Sequence, residues 1–141
     1  MPVIDDPMKV NSTSASRIVL HTGKIYYDLI KTRAEHDAAS KVALIRIEEL
    51  APFPYEALYN TLKPYARHNG TAPEVYWLQE EPRNQGAWTH VAPRIQQVLQ
   101  SLGWKSELEY RGRKEDAIAA TGIGNVYKKE QTNVLASAFG G

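Results

Sequence analysis

The 141-residue chain is long enough for one domain with a real core, and its 43% hydrophobic and 23% charged residues are ordinary for a globular protein. A net charge of +1 gives no broad electrostatic case for nucleic acid or an acidic membrane surface. The absence of cysteine removes disulfides, thiolate metal sites and a cysteine nucleophile, and no apolar run approaches the roughly 18 residues needed to cross a bilayer.

Residues 1–16, rich in Asp, Pro, Asn and Ser, read as a linker in which Val3 and Ile4 are at most a short anchor. The α/β domain is expected over 17–141. RIVLHT (17–22) is a strand, closed by Thr22-Gly23, and the stretch from Lys24 follows as a helix with Ile25, Leu29 and Ile30 on one face. KVALIRI (41–47) carries successive apolar residues, as in a strand covered on both faces. Ala51–Pro54 turns the chain, with Pro54 suited to the first position of a helix holding Leu58 and Leu62. EVYWLQ (74–79) is a third strand. Trp88, Val91, Ile95, Val98, Leu99 and Leu102 then form one helical stripe over 87–102, and Pro93 predicts that the regular helix starts near it. SELEYRG (106–112) is a fourth strand, and 126–139 a last helix with Val134, Leu135 and Ala138 inward. This alternation predicts a three-layer α/β/α domain around a mostly parallel sheet.

Chemistry-bearing motifs are sparse. TGIG (121–124) and HTGK (21–24) lack the spacing of a phosphate-binding glycine loop and read as turns. His21, His36, His68 and His90 show no metal-ligand spacing, and no G-x-S-x-G elbow is present. The basic run Arg111–Lys114 reads as a solvated turn.

Glu80 and Glu81 end the third strand, where an open parallel sheet places its ligands. Neighbours in an extended segment point oppositely, so the two carboxylates do not form a proton-sharing dyad. The inward one needs partners, with Arg46, Arg83 and Arg94 as candidates. The favoured reading is an ion-paired, hydrogen-bonded corner fixing 82–86, and the competing one a ligand-facing acid. Asn84, Gln85 and Gly86 precede a helix, where Asn84 reads as its N-cap or the backbone donors as an anion or subunit contact.

TGKIYYDL (22–29), RIEELAPFP (46–54), QEEPRNQGAW (79–88), Gly112-Arg113 with ATG (120–122), and LASAF (135–139) occur in an order that resembles the C-terminal domain of the E1 component of 2-oxoglutarate dehydrogenase. The resemblance spans residues 2–140. Pro82 after QEE and GIGNVY (122–127) lean toward the 2-oxoadipate dehydrogenase-like branch. It implies a transketolase C-terminal-type domain with no catalytic residue, no cofactor-binding residue and no metal site of its own. Thiamine diphosphate and Mg²⁺ belong to other domains of the parent enzyme, whose motifs are absent here. The implied partners are the remaining E1 domains, a second copy in a homodimer and, through the parent, the lipoyl acyltransferase E2; the implied setting is the mitochondrial matrix. Some relatives border an acetyl-CoA effector site with this domain, and by motif Arg46 is carried to that role. Glu80, Glu81, Arg83, Asn84, Gln85 and Trp88 join it as effector or interface candidates. Stretch 114–119 departs from the family's pattern.

The alternative, from a different class, is a free-standing regulatory protein that binds a nucleotide or acyl-CoA near Arg46, Arg83 and TGIG. On assembly, three tryptophans and eight tyrosines exceed what one such domain covers easily. An exposed apolar patch and a two-fold dimer through 79–95 are therefore expected, with the C-terminal helix as the second surface.

Overall fold

A computed structural model describes residues 2–7, 15–36, 41–66, 72–113 and 124–140. Five strands, β1 (Val3–Ile4), β2 (Arg17–His21), β3 (Val42–Ile47), β4 (Glu74–Pro82) and β5 (Leu108–Arg113), join four helices. These are α1 (Ile25–Ala34), α2 (Tyr55–Leu62), α3 (Trp88–Ser101) and α4 (Gly124–Ser137). One sheet runs in the order β1-β3-β2-β4-β5, antiparallel only between β1 and β3. The three-layer, mostly parallel architecture anticipated from the alternation is the one observed.

The strands are apolar on both faces because both are covered. Ile18, Leu20, Ala43, Ile45, Val75 and Trp77 pack against Leu58 and Leu62 of α2 and Val91, Ile95, Val98 and Leu99 of α3. Val19, Val42, Leu44 and Leu78 face Ile25 and Leu29 of α1, Val134 of α4 and Ala138 just beyond its end. Each fully buried aliphatic side chain contributes about 1.5–3 kcal/mol to folding. Arg17, at the start of β2, donates to the carbonyls of Ala138 (3.1 Å) and Gly140 (2.7 Å) and so closes the end of α4 onto the sheet.

Several local expectations change. Val3–Ile4, inside the stretch read as linker, lie in register with Ile47 and Arg46 at the sheet edge, and Glu48 N–H donates to Pro2 O at 2.7 Å. Asp6 is buried against Arg33 of α1 and accepts from Leu44 N–H at 2.9 Å. A mostly polar sequence thus docks through the short ladder, buried Val3 and a charge pair, and no hydrophobic pattern announces the pair. Pro93 lies inside α3, whose first residue is Trp88. Pro93 and Thr89, whose carbonyl loses its partner, are both exposed, so the freed group is open to solvent. Pro54 caps α2 rather than opening it.

The expected apolar patch is not seen among the described residues. Trp77 and Trp104 are core, Tyr65 and Tyr76 are buried, and the large hydrophobics left exposed are Tyr27 (70%) and Tyr55 (41%). Trp88 is half-buried, edge-on to Tyr110 and beneath Arg83.

Candidate functional site

Strand order reverses around β2, with β3 on one side and β4 on the other, so the crevice at the carboxyl ends of β2 and β4 is the switch point where such sheets bind ligands. Thr22, Ile25, Trp77, Gln79, Glu80, Glu81 and Ala87 line a cavity of about 30 Å³ there. That holds a water molecule or two, far below the several hundred Å³ of an ordinary ligand pocket. A larger hollow of about 480 Å³ lies between α2 and α3, lined by Tyr55, Glu56, Tyr59, Gln97, Val98 and Ser101. None of Arg46, Arg83, Glu80 or Glu81 reaches it.

The residue that organises the crevice is Gln79, which sequence reasoning passed over. Its side chain is buried at 4% exposure on the α3 face of β4. Its Oε1 accepts from Trp77 Nε1 (2.9 Å) and Trp88 N–H (3.1 Å). Its two amide hydrogens are shared among the carbonyls of Glu81 (3.2 Å), Pro82 (2.9 Å) and Gln85 (2.7 Å). Gln79 therefore serves one free N–H at the start of α3, the task assigned to Asn84; Asn84 is exposed and the helix has no side-chain cap of its own. Gln85 is exposed but contributes its backbone, with its N–H donating to Pro82 O at 2.9 Å. The alternation Val75, Trp77, Gln79 on one face was the available signal. A polar residue at the end of an apolar inward series has to be satisfied.

Glu80 and Glu81 are where the ladder slips. Gln79 pairs with Gly112 and Pro82 with Arg113, so β4 places two residues where β5 places none. The two carboxylates part as anticipated. Glu80 accepts from Gln131 Nε2 of α4 at 2.8 Å. Glu81 is exposed, its carboxylate lies against Gly86, and its carbonyl accepts from Tyr110 Oη at 2.9 Å. The arginine partners considered for the inward acid are engaged elsewhere. Arg46 pairs with Glu48, Arg94 donates to His90 O at 2.7 Å, and Arg83 lies over Trp88 (5.5 Å) and Tyr110 (5.7 Å). The corner is fixed by an amide, because an amide both donates and accepts and so can tie a strand end to a helix start.

On the opposite face His21 of β2 pairs in register with Arg46 of β3, and both approach Tyr26 of α1. The His21 ring stacks on Tyr26 (5.9 Å) and the Arg46 guanidinium lies over it (4.5 Å). Burial, reinforced by the Arg46 charge and opposed by Asp6, pushes the His21 pKa down to about 3. His21 is therefore neutral at pH 7. Both its ring nitrogens and Arg46 Nε are buried without a hydrogen-bond partner among the described residues. Across the fold, burial and the Asp5 carboxylate, which accepts its hydroxyl at 2.7 Å, push the Tyr65 pKa above the ordinary phenol range.

Among the described residues no nucleophile meets a base. Ser16, Ser101, Ser106 and Ser137 each donate to a backbone carbonyl. His36 stacks on Phe139, and His90 Nε2 bonds Leu50 O. No three His, Asp or Glu converge as metal ligands among the described residues. With a 30 Å³ crevice, these residues do not fit a thiamine diphosphate–Mg²⁺ group. Arg111 of the basic run packs on Tyr76 at 4.5 Å and donates to its hydroxyl at 3.1 Å. His68, Lys114 and Thr121–Ile123 of TGIG lie outside the described residues.

Known proteins give this geometry a context. The chain is 36% identical over 140 residues to the 2-oxoglutarate dehydrogenase E1 component of Rickettsia conorii, covering 99% of this chain and 14% of that one. It is also 36% identical over 138 residues to a probable 2-oxoadipate dehydrogenase complex component E1 homolog of Dictyostelium discoideum, with 97% and 14% covered. A mitochondrial 2-oxoglutarate dehydrogenase of Caenorhabditis briggsae is 35% identical over 130 residues, with 92% and 12% covered. Equal identity to the first two leaves the 2-oxoadipate leaning undecided. The chain thus spans about one-seventh of the length of these relatives. In structure it is similar to a split-gene transketolase described as an inactive β4 tetramer (TM-score 0.58, 14% identity, 89% of this chain and 38% of that one), a likeness of fold. A family model described as 2-oxoglutarate dehydrogenase C-terminal matches residues 1–139, and the chain belongs to that family, the C-terminal domain of 2-oxoglutarate and 2-oxoadipate dehydrogenase E1 components.

Proposed function

We propose that this chain is a structural and subunit-interface module of an E1 enzyme that decarboxylates a 2-oxo acid and passes the acyl group to a lipoyl-bearing E2. In this reading thiamine diphosphate and Mg²⁺ are held by other E1 domains, and the chain alone is inactive. The observation that carries it is the match of nearly the whole chain to one-seventh of E1 relatives, joined to a switch-point crevice too small for a cofactor. The module packs against the remaining E1 domains and, through the corner that Gln79 holds rigid, against a second copy of itself. A mitochondrial-matrix setting belongs to the same reading; the nematode relatives are named as mitochondrial and the rickettsial ones are bacterial.

Calorimetric titration with thiamine diphosphate and Mg²⁺ tests the division of labour. No heat of binding is expected, and micromolar binding by this chain would overturn it. Arg46, half-buried at the carboxyl end of β3 and paired with Glu48, is proposed as an anion contact for an acyl-CoA effector. A thermal-shift series with acetyl-CoA, on the wild type and Arg46→Ala, checks this; equal responses exclude the residue. A strand-end crevice of about 30 Å³ and a family match over residues 1–139 do not favour the free-standing nucleotide-binding alternative.

A further inference from the structure

We infer that Glu81 and Arg83 are reciprocal contacts across a two-fold axis, Glu81 of each copy meeting Arg83 of the other. This rests on the proposed assembly role and names its chemistry. The two residues lie on one exposed corner, two positions apart and opposite in charge, yet neither enters an ion pair among the described residues. They are kept apart by what holds each of them. The ladder slip carries Glu81 outward, its carbonyl is tied to Tyr110 Oη, and its carboxylate rests on Gly86. The Arg83 guanidinium lies over the rings of Trp88 and Tyr110. Behind them Gln79 binds three carbonyls of the same turn.

The corner is thus a preorganised surface with one unpaired charge of each sign, and preorganisation lowers the entropy lost on association. A partner of a single sign would satisfy one charge and repel the other. A second copy satisfies both, because in an isologous interface residue i meets j and j meets i. The described surface has no large apolar patch at this corner, so complementary charge is what it offers a copy of itself.

The test is sedimentation equilibrium and small-angle scattering on the 141-residue chain, comparing wild type with Glu81→Arg, Arg83→Glu and the double reversal. Both positions are exposed, and far-UV circular dichroism with urea midpoints verifies that each variant folds. Symmetry doubles every change, so each single reversal should weaken the dimer by about tenfold or more, and the double reversal should return it to within about threefold of wild type. The wild-type dimer should also loosen as salt rises. A dimer indifferent to all three variants overturns the pairing and leaves the assembly reading standing. A double reversal as weak as the singles overturns the reciprocity. A wild-type chain that stays monomeric throughout removes the assembly reading and the pairing with it.

Discussion

Asp6 and Arg33 form a fully buried ion pair that ties the amino-terminal segment to α1. Arg33 Nη2 donates to Asp6 Oδ1 at 2.9 Å, and the same carboxylate accepts from Leu44 N–H of β3. Arg33 also reaches Val42 O at 3.4 Å. The edge strand β1 is too short to dock on its own, so this pair and the Tyr65–Asp5 bond hold residues 2–7 in place. Asp6→Ala should cost about 3–5 kcal/mol, because it strands a buried guanidinium. The double variant Asp6→Leu/Arg33→Met should cost less than Asp6→Ala alone. Urea unfolding of the three proteins checks both statements.

Gln79→Ala should destabilise the chain by about 2–4 kcal/mol, since it leaves the Trp77 Nε1–H and Trp88 N–H donors and the Gln85 carbonyl unserved. Gln79→Glu should be no milder, because a carboxylate can accept from Trp77 and Trp88 but has nothing to donate to the three carbonyls. Hydrogen exchange distinguishes this from a general loss of stability. Amides of 83–88 should lose protection first, while those of β2 and β3 hold.

Two glycines of the corner should differ in their tolerance of a methyl group. Gly86 has φ +66°, and an added Cβ lies 2.5 Å from Glu81 Oε2, the end of a side chain that can swing away. Gly86→Ala should cost about 1–2 kcal/mol, mostly backbone strain. At Gly112 the same Cβ meets Gln79 O at 2.6 Å, a backbone atom inside the ladder that cannot yield. Gly112→Ala should therefore cost more than Gly86→Ala, about 3 kcal/mol or beyond. Thermal midpoints of the two variants, measured side by side, decide the order.

His21 should make the fold acid-sensitive. Its pKa is about 3 in the folded chain against 6.5 when exposed, so between those values the unfolded state binds the extra proton. Its contribution is present above pH 6.5 and is lost as pH falls, at about 1.4 kcal/mol per pH unit across the window. His21→Leu removes that component. The drop in unfolding free energy from pH 7 to pH 5 should be smaller in the variant by about 2 kcal/mol. Urea midpoints at the two pH values measure it, and an unchanged drop would show that His21 titrates normally.

Local physics was enough to predict the layers of this protein. The successive apolar residues of Val42–Ile45 mark a strand covered on both faces, and the Val91–Ile95–Val98–Leu99 stripe marks a helix covered on one; both are set by chain periodicity. The order of motifs from Thr22 to Phe139 was likewise readable without coordinates and led to the family. The opposed directions of Glu80 and Glu81 followed from strand alternation.

What tertiary structure alone decided is which polar groups meet. Asp6 finds Arg33 across 27 positions, Glu80 finds Gln131 across 51, and Arg17 finds the end of α4 across more than 120. These partners lie on elements that only the folded sheet brings together, and a linear pattern holds no record of their separation. The same holds for Gln79. Its identity was plain in QEEP, but its five hydrogen-bond contacts exist only because β4, its two-residue slip and the start of α3 converge on one amide. Apolar burial is non-directional and survives translation into a pattern of residue types. Hydrogen bonds and ion pairs are directional and short-ranged, so the corner around Gln79 was settled by the packing of the whole chain.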